Sequence, residues 1–198
     1  MKRLEFFWDV GSPYTYLAMT QIPGIRERTG AEIDYRPFLL GGVFKAVGNK
    51  MVDVAPKAKN LMLDLRRWAD FYQVKMLVPP EVIFPINSLL PMRAATAALR
   101  QSRAGGEALA HALMNAYWAE GQNVSELEVV SRVITAAGLD PRAIIESTDD
   151  AETKGLLRAN TEEAVSRGAF GAPALFIGEE LFWGNDRLHF VERALKRG

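Results

Sequence analysis

Apolar and polar positions alternate over residues 4–10, which predicts a β-strand. Gly11 interrupts the strand, and Ser12 with Pro13 then forms a helix start, because serine is a favoured N-cap and proline fits the first helical position. Apolar residues recur at helical spacing up to Gly30, and Pro23 is expected to kink this helix or end it early. Residues 31–38 restore strand character. The opening is therefore β-α-β, which implies a parallel pair of strands.

The middle of the chain is helical in pattern. Leu61, Leu65, Trp68 and Tyr72 mark one face of a helix, because they lie four, three and four positions apart. A capping box at residues 125–128 predicts the start of a further helix. Similar capping and periodicity predict the other helices, at about residues 87–103, 107–120, from Asp140-Pro141, and from Asp149 or Asp150 to near Gly168.

Strand-like patterns of apolar residues return within the last thirty residues. Two short apolar runs, 174–177 and 180–183, surround Gly178-Glu179 and predict a hairpin, and residues 188–195 predict a final helix. The whole pattern is β-α-β, a helical block, then β-β-α. This order predicts an α/β thioredoxin-like fold with a large all-helical insertion, in which residues 1–48 and 169–198 form the thioredoxin-like domain and 49–168 form the insertion.

Composition narrows the classes of function. The 198 residues contain no cysteine, so disulfides, cysteine nucleophiles and thiolate metal sites are excluded, and with two histidines no metal site is expected. Basic and acidic residues balance at 24 each, so the chain lacks the charge of a nucleic-acid or anionic-membrane binder. We find no signal peptide and no apolar run of about 20 residues that could span a bilayer. A cytoplasmic protein is expected.

Three short segments carry candidate chemistry, and each also has a purely structural interpretation. Ser12 stands where a helix N-terminus favours an anion, although serine before proline is also an ordinary cap. The Ala172-Pro173 bond is either a cis peptide bond that shapes a pocket, or Pro173 simply marks the edge of a strand, where proline is tolerated. Asn185 and Asp186 either hold an ammonium group or cap the last helix.

The glycine-rich stretch from Gly41 to Gly48 lacks P-loop spacing. The polar residues in and after it are candidates for binding an anionic ligand, or are solvated loop residues: Lys45, Asn49, Lys50 and Lys57. His111 and His189 have no evident partner in the sequence, which favours structural or surface roles for both.

Taken together, these segments resemble the 2-hydroxychromene-2-carboxylate isomerases and the related kappa-class glutathione transferases, both of the DsbA-like branch of the thioredoxin fold. The resemblance runs along essentially the whole chain in order. It rests on residues 6–14 (FFWDVGSPY), 37–45 (PFLLGGVFK), 48–49 (GN), 85–88 (PINS) with Arg93, 168–173 (GAFGAP) and 182–187 (FWGNDR).

The resemblance implies a glutathione site. Ser12 occupies the position of the nucleophilic cysteine in dithiol members of the fold, and its hydroxyl would hydrogen-bond the glutathione thiolate. The backbone of Ala172, before a cis-Pro173, would pair with the cysteinyl unit. The resemblance assigns the remaining positions as follows: Asn185 and Asp186 to the γ-glutamyl end, Asn49 and Lys57 to the peptide, Lys45 to a carboxylate, and Asn87 and Trp183 to the organic-substrate pocket.

The implied reaction is a glutathione-dependent isomerisation in an aromatic-degradation pathway. The thiolate would add reversibly to a conjugated carbon of an aromatic carboxylate, so that a double bond becomes a rotatable single bond. Two alternatives stay open: a kappa-like transferase that consumes glutathione, and a non-catalytic module that binds glutathione or another small anion. The helical insertion also offers a face for a homodimer.

Overall fold

The computed structural model describes residues 2–49, 55–79 and 81–197. These residues form a four-stranded sheet, a set of α-helices and one short 3₁₀ helix at Asn185–Arg187. The strands are β1 Arg3–Trp8, β2 Glu32–Pro37, β3 Ala174–Ile177 and β4 Glu180–Trp183. The helices are α1 Pro13–Thr29, α2 Leu40–Val47, α3 Ala55–Tyr72, α4 Leu89–Gln101, α5 Arg103–Trp118, α6 Leu127–Ala136, α7 Pro141–Ser147, α8 Ala151–Ser166 and α9 Leu188–Arg197.

The sheet is built from both ends of the chain, in the order β2-β1-β3-β4. β1 pairs in parallel with β2 and antiparallel with β3, and β3 pairs antiparallel with β4. Both faces of β1 are buried, because Leu4 and Phe6 belong to one hydrophobic cluster while Phe7 packs on the opposite side against Phe38 and Phe176. The predicted thioredoxin-like arrangement, including the hairpin at the predicted residues, is confirmed.

Helix α1 begins where the sequence predicts. Ser12 is its N-cap and accepts a hydrogen bond from the Thr15 N–H, while Gly30 ends it in a left-handed conformation with φ 66°. The predicted early end at Pro23 is wrong, because the helix continues for six residues beyond it. Ile22 and Ile25 on either side of the proline are fully buried, so packing against the sheet maintains the helix despite the missing N–H.

Two other local predictions are corrected. The glycine-rich stretch forms helix α2, where the sequence suggested a loop, because Val43 is fully buried and packs with Phe38 and Phe7. The capping box at residues 125–128 does not form. Helix α6 starts at Leu127 with Glu126 as N-cap, and the Ser125 hydroxyl donates to Asn123 Oδ1 instead.

The helical block packs directly on the sheet, so both share one hydrophobic core. The Trp118 indole Nε1 donates to the Val10 carbonyl at 2.8 Å and thereby fixes α5 to the end of β1. The boundary at residues 49 and 168 stays a prediction. In the described ranges, no helix combines the length and apolar character needed to cross a bilayer.

Candidate active site

Ser12 lies at the junction of the two halves of the chain. Its side chain is 3% exposed, and its hydroxyl donates to the Ala172 carbonyl oxygen at 2.9 Å while accepting from the Thr15 N–H at 3.2 Å. The Ala172–Pro173 peptide bond is cis, as predicted. The first turn of α1 carries no acidic side chain, so its partial positive charge is available to an anion beside Ser12.

A cavity of about 560 Å³ opens beside Ser12, and we call it the Ser12 cavity. Tyr14, Phe44 and Phe170 contribute apolar walls, and Lys57 contributes a positive charge. The structure brings five of the predicted site residues together around this space: Ser12, Asn49, Lys57, Ala172 and Trp183. The size and mixed lining suit a small organic ligand with charged ends.

Two residues of this cavity are tied to the loop before β3. The Asn49 amide donates to the Phe170 carbonyl oxygen at 3.3 Å. The ring of Phe170 packs against Trp183 with 4.9 Å between centroids, and Trp183 is 43% exposed. Phe170 therefore connects the segment after α2 with the end of β4 beside the cavity.

Tyr14, in the wall of the Ser12 cavity, interacts with two carboxylates. The Tyr14 hydroxyl donates to Asp64 Oδ2 at 2.8 Å. Burial, then the bond to Asp64 and the negative charges of Asp64 and Asp186, raise the pKa of Tyr14 well above its ordinary value. Tyr14 is therefore a neutral hydrogen-bonding group at ordinary pH, and Asp186 lies close enough to act on it electrostatically.

Asn185 and Asp186 line a second cavity of about 350 Å³, together with Tyr72. Asn185 is 2% exposed, and the Tyr72 hydroxyl donates to its carbonyl oxygen at 3.0 Å. Within the described ranges its side-chain Nδ2 has no hydrogen-bond partner. A buried amide nitrogen without a partner is a donor available for a ligand.

Asn87 lines a third cavity of about 320 Å³, which we call the Asp9 cavity. It shares Gly11, Leu40 and Phe44 with the Ser12 cavity, so the two spaces adjoin. Asn87 is exposed and its Oδ1 accepts from the Leu89 N–H at 3.1 Å, at the start of α4.

Pro173 itself lines none of these cavities, and Lys45 is a second predicted site residue that the structure leaves apart from them. It is exposed in the last turn of α2 and belongs to none of the three linings. Lys50 lies outside the described residues. His111 is a structural residue as expected, with its Nε2 2.8 Å from the Tyr35 hydroxyl. No cluster of three or more potential metal ligands occurs in the described part of the chain.

Sequence reasoning gave no role to two carboxylates at the site, Asp9 and Asp64. Asp64 is one polar position among many on α3, so the sequence offers no signal for it. Asp9 does carry a signal: it is a lone charge between Trp8 and Val10, at the end of a strand whose two faces are both apolar.

Comparisons with known proteins show the family to which the chain belongs. A family model of the DSBA-like thioredoxin domain matches residues 3–196. A 2-hydroxychromene-2-carboxylate isomerase of Sphingobium xenophagum is 32% identical over 197 residues, covering 98% of each chain. Glutathione S-transferase kappa 1 of Caenorhabditis elegans is 28% identical over 208 residues, covering 100% of this chain and 92% of that protein.

A solved structure of a 2-hydroxychromene-2-carboxylate isomerase superposes with a TM-score of 0.84 and 28% identity, covering 98% of this chain and 95% of that one. The similarity thus extends over sheet and helical block together. The chain belongs to the DSBA-like thioredoxin domain family and, within it, to the 2-hydroxychromene-2-carboxylate isomerases, a family of enzymes.

Proposed function

We propose that this protein is a glutathione-dependent isomerase that interconverts 2-hydroxychromene-2-carboxylate and trans-o-hydroxybenzylidenepyruvate. The observation that carries the proposal is the position of the Ser12 hydroxyl, which lies at the N-terminus of α1 beside a cavity of ligand size. The chain has no cysteine of its own, so a thiol at this position must come from a ligand.

The residues present fit glutathione. Its thiolate would lie at the N-terminus of α1 beside Ser12, and one carboxylate would lie near Lys57 at the edge of the Ser12 cavity. Asn49 would contact the peptide. The γ-glutamyl end, which carries an ammonium and a carboxylate, would lie near Asp186 and the unpartnered Nδ2 of Asn185.

Binding would redirect the Ser12 hydroxyl. This group has one proton, and the proton is directed at the Ala172 carbonyl oxygen. We infer that the cysteinyl N–H of glutathione would take over as the donor to Ala172, which frees the Ser12 proton for the thiolate. The buried carbonyl keeps a donor throughout, so the exchange leaves no polar group unpaired.

Bound glutathione would supply a thiolate that adds to a conjugated carbon of the substrate and leaves again after rotation. Ser12 and the helix terminus would lower the thiol pKa below its ordinary value of about 8.5. Trp183 and Asn87 would position the aromatic substrate, and the apolar walls around Phe44 would exclude water from the reacting atoms.

The experiment is a spectroscopic assay of the purified protein. Mixing it with 2-hydroxychromene-2-carboxylate and glutathione should change the ultraviolet spectrum as the isomer forms, at a rate proportional to enzyme and saturable in glutathione. Free thiol measured before and after should be equal, because glutathione is regenerated. Absence of any glutathione-dependent change would refute the proposal.

A second candidate is a kappa-like transferase, which the 28% identity to the C. elegans enzyme over the whole chain favours. The same Ser12 site would serve it. A loss of free thiol that matches the electrophile consumed, without isomerisation, would establish this activity instead.

A further inference from the structure

Asp9 is a buried carboxylate at the end of β1 to which the proposed reaction assigns no role. Its side chain is 1% exposed. Oδ1 accepts from the Gly11 N–H at 2.8 Å, and Oδ2 accepts from the Leu40 N–H at 2.8 Å and from the Ser88 hydroxyl at 3.0 Å. Among the described residues it forms no ion pair, so these three donors are the groups that hold the carboxylate in place.

The three donors belong to three different elements. Gly11 lies in the turn that carries Ser12, Leu40 is the first residue of α2, and Ser88 is the N-cap of α4. Helix α2 has no side-chain cap of its own, and the Asp9 carboxylate accepts its first N–H instead. Ser88 makes no capping bond to its helix, because its hydroxyl is directed to Asp9.

These same elements form the walls of the Asp9 cavity. Leu40 and Phe44 of α2 line both this space and the Ser12 cavity, and Asn87 and Ser88 also line the Asp9 cavity. A small shift of α2 or of the α4 N-terminus relative to Ser12 would therefore change the space beside the thiolate. Displacements of about 1 Å are enough to affect reactions that depend on alignment.

We propose that Asp9 is a positioning residue, which fixes the walls of the organic-substrate cavity, α2 and the Asn87-Ser88 corner, relative to the turn that carries Ser12. This inference rests on the proposed function, since it takes glutathione to lie beside Ser12 and the organic group to lie in the adjoining cavity.

Two ligands distinguish binding beside Ser12 from binding in the Asp9 cavity. Glutathione would leave the Asp9 cavity empty, and S-benzylglutathione adds an apolar ring that would extend into it. Calorimetry measures the dissociation constant of each, and their ratio reports on the organic cavity without requiring turnover. Ser88→Ala removes one of the three donors to Asp9. In Asp9→Asn, the new amide N–H faces a group that is itself a donor, so that hydrogen bond is lost.

For Ser88→Ala we expect an affinity for S-benzylglutathione about tenfold lower, the size of one hydrogen bond to a charged group, with the affinity for glutathione unchanged. Asp9→Asn should show the same selective loss, to a larger extent. Ser125→Ala is the matched control, because its hydroxyl bonds to Asn123 before α6, away from both cavities, and it should keep both affinities.

Thermal unfolding verifies that each variant is folded at the assay temperature, and Ser88→Ala decides the question if Asp9→Asn does not fold. Unchanged affinity ratios in the folded variants, or equal losses for both ligands, would overturn the inference while leaving the proposed function intact. If the wild-type protein binds neither ligand, the proposed function fails and the inference fails with it.

Discussion

The hydroxyl of Ser12 donates a hydrogen bond of 2.9 Å to the carbonyl oxygen of Ala172, a residue 160 positions later in the chain. The bond joins the turn before α1 to the segment before β3, which come from opposite ends of the sequence and become neighbours through the pairing of β1 with β3. It also means that the Ser12 proton is engaged before a ligand arrives. Any ligand that uses this proton must offer a donor to Ala172 in return.

Replacement of Ser12 by alanine separates its two roles. We expect the free energy of unfolding to fall by about 2 kcal/mol, because the cap to Thr15 and the hydroxyl donor to the buried Ala172 carbonyl are both lost. We expect kcat/KM to fall about 100-fold, as when one donor to a developing or bound anion is removed. Chemical denaturation and the spectroscopic assay measure the two quantities.

Ser102→Ala is the matched control for this variant. Ser102 caps α5 by accepting from the Gly105 N–H at 3.2 Å, the same distance as the bond from Thr15 to Ser12. It should lose about 1 kcal/mol of stability, the cap alone, and keep full activity. Equal activities of the two variants would show that Ser12 has only a structural role.

Replacement of Lys57 by alanine should weaken glutathione binding. Lys57 is exposed at the edge of the Ser12 cavity, and an exposed charge pair contributes up to about 1 kcal/mol, so we expect about a fivefold rise in the dissociation constant. The dependence of binding on salt concentration should decrease as well. Lys59→Ala, an exposed lysine that does not line the cavity, should change neither quantity, and equal effects of both variants would argue against a specific contact.

Replacement of Gly171 by alanine should displace Trp183. A Cβ at residue 171 would lie 2.6 Å from the indole Nε1, and the partly exposed indole can move away. We expect weaker binding of both glutathione and S-benzylglutathione, because Trp183 lines the Ser12 cavity, and altered tryptophan fluorescence, with little change in stability. Gly155→Ala on α8, where a Cβ meets nothing within 4 Å, should keep the affinity and fluorescence. Unaltered binding by the Gly171 variant would show that Trp183 does not contact the ligand.

His111 predicts a pH dependence of stability. Burial lowers the pKa of His111 from the ordinary value of 6.5, so the imidazole takes up a proton at a higher pH in the unfolded chain than in the folded protein. The contribution of His111 to the free energy of unfolding is complete above about pH 6.5 and is lost as the pH falls toward the folded-state pKa. Urea denaturation from pH 7.5 to 5 should show this decrease.

His111→Gln should reduce the decrease in the free energy of unfolding between pH 7.5 and 5. His189→Gln, the change at the exposed second histidine, should retain it because His111 is still present. The prediction is wrong if the wild-type protein and His111→Gln have the same pH profile.

Local patterns predicted the elements that depend on local interactions. The Ser12 cap, the Asp140 cap of α7 and the hairpin formed by β3 and β4 all follow from residues close in sequence. The capping box at residues 125–128 failed for a local reason, the bond from Ser125 to Asn123, whereas the failure at helix α2 has a tertiary cause. Helix α2 contains Gly41 and Gly42, which locally favour a loop, yet it forms because Val43 is buried and Asp9 accepts its first N–H.

Only part of the site could be predicted from the sequence, because the rest depends on tertiary packing. Ser12, Lys57 and Trp183 carry motif signals and do line one cavity. Lys45 carries a similar signal, but the turn of α2 directs it to solvent. Asp64 reaches Tyr14 only through the packing of α3 on α1, which no local pattern specifies.

The pKa of the glutathione thiol in the complex shows whether Ser12 and the helix terminus stabilise the thiolate, and it can be measured from the ultraviolet absorbance of the thiolate during a pH titration. We expect a pKa clearly below the free value of about 8.5 in the wild-type protein. In Ser12→Ala the pKa should return toward that value, whereas Ser102→Ala should retain the shift. An unshifted thiol pKa in the wild-type complex, or one that Ser12→Ala leaves unchanged, would contradict the proposed role of Ser12.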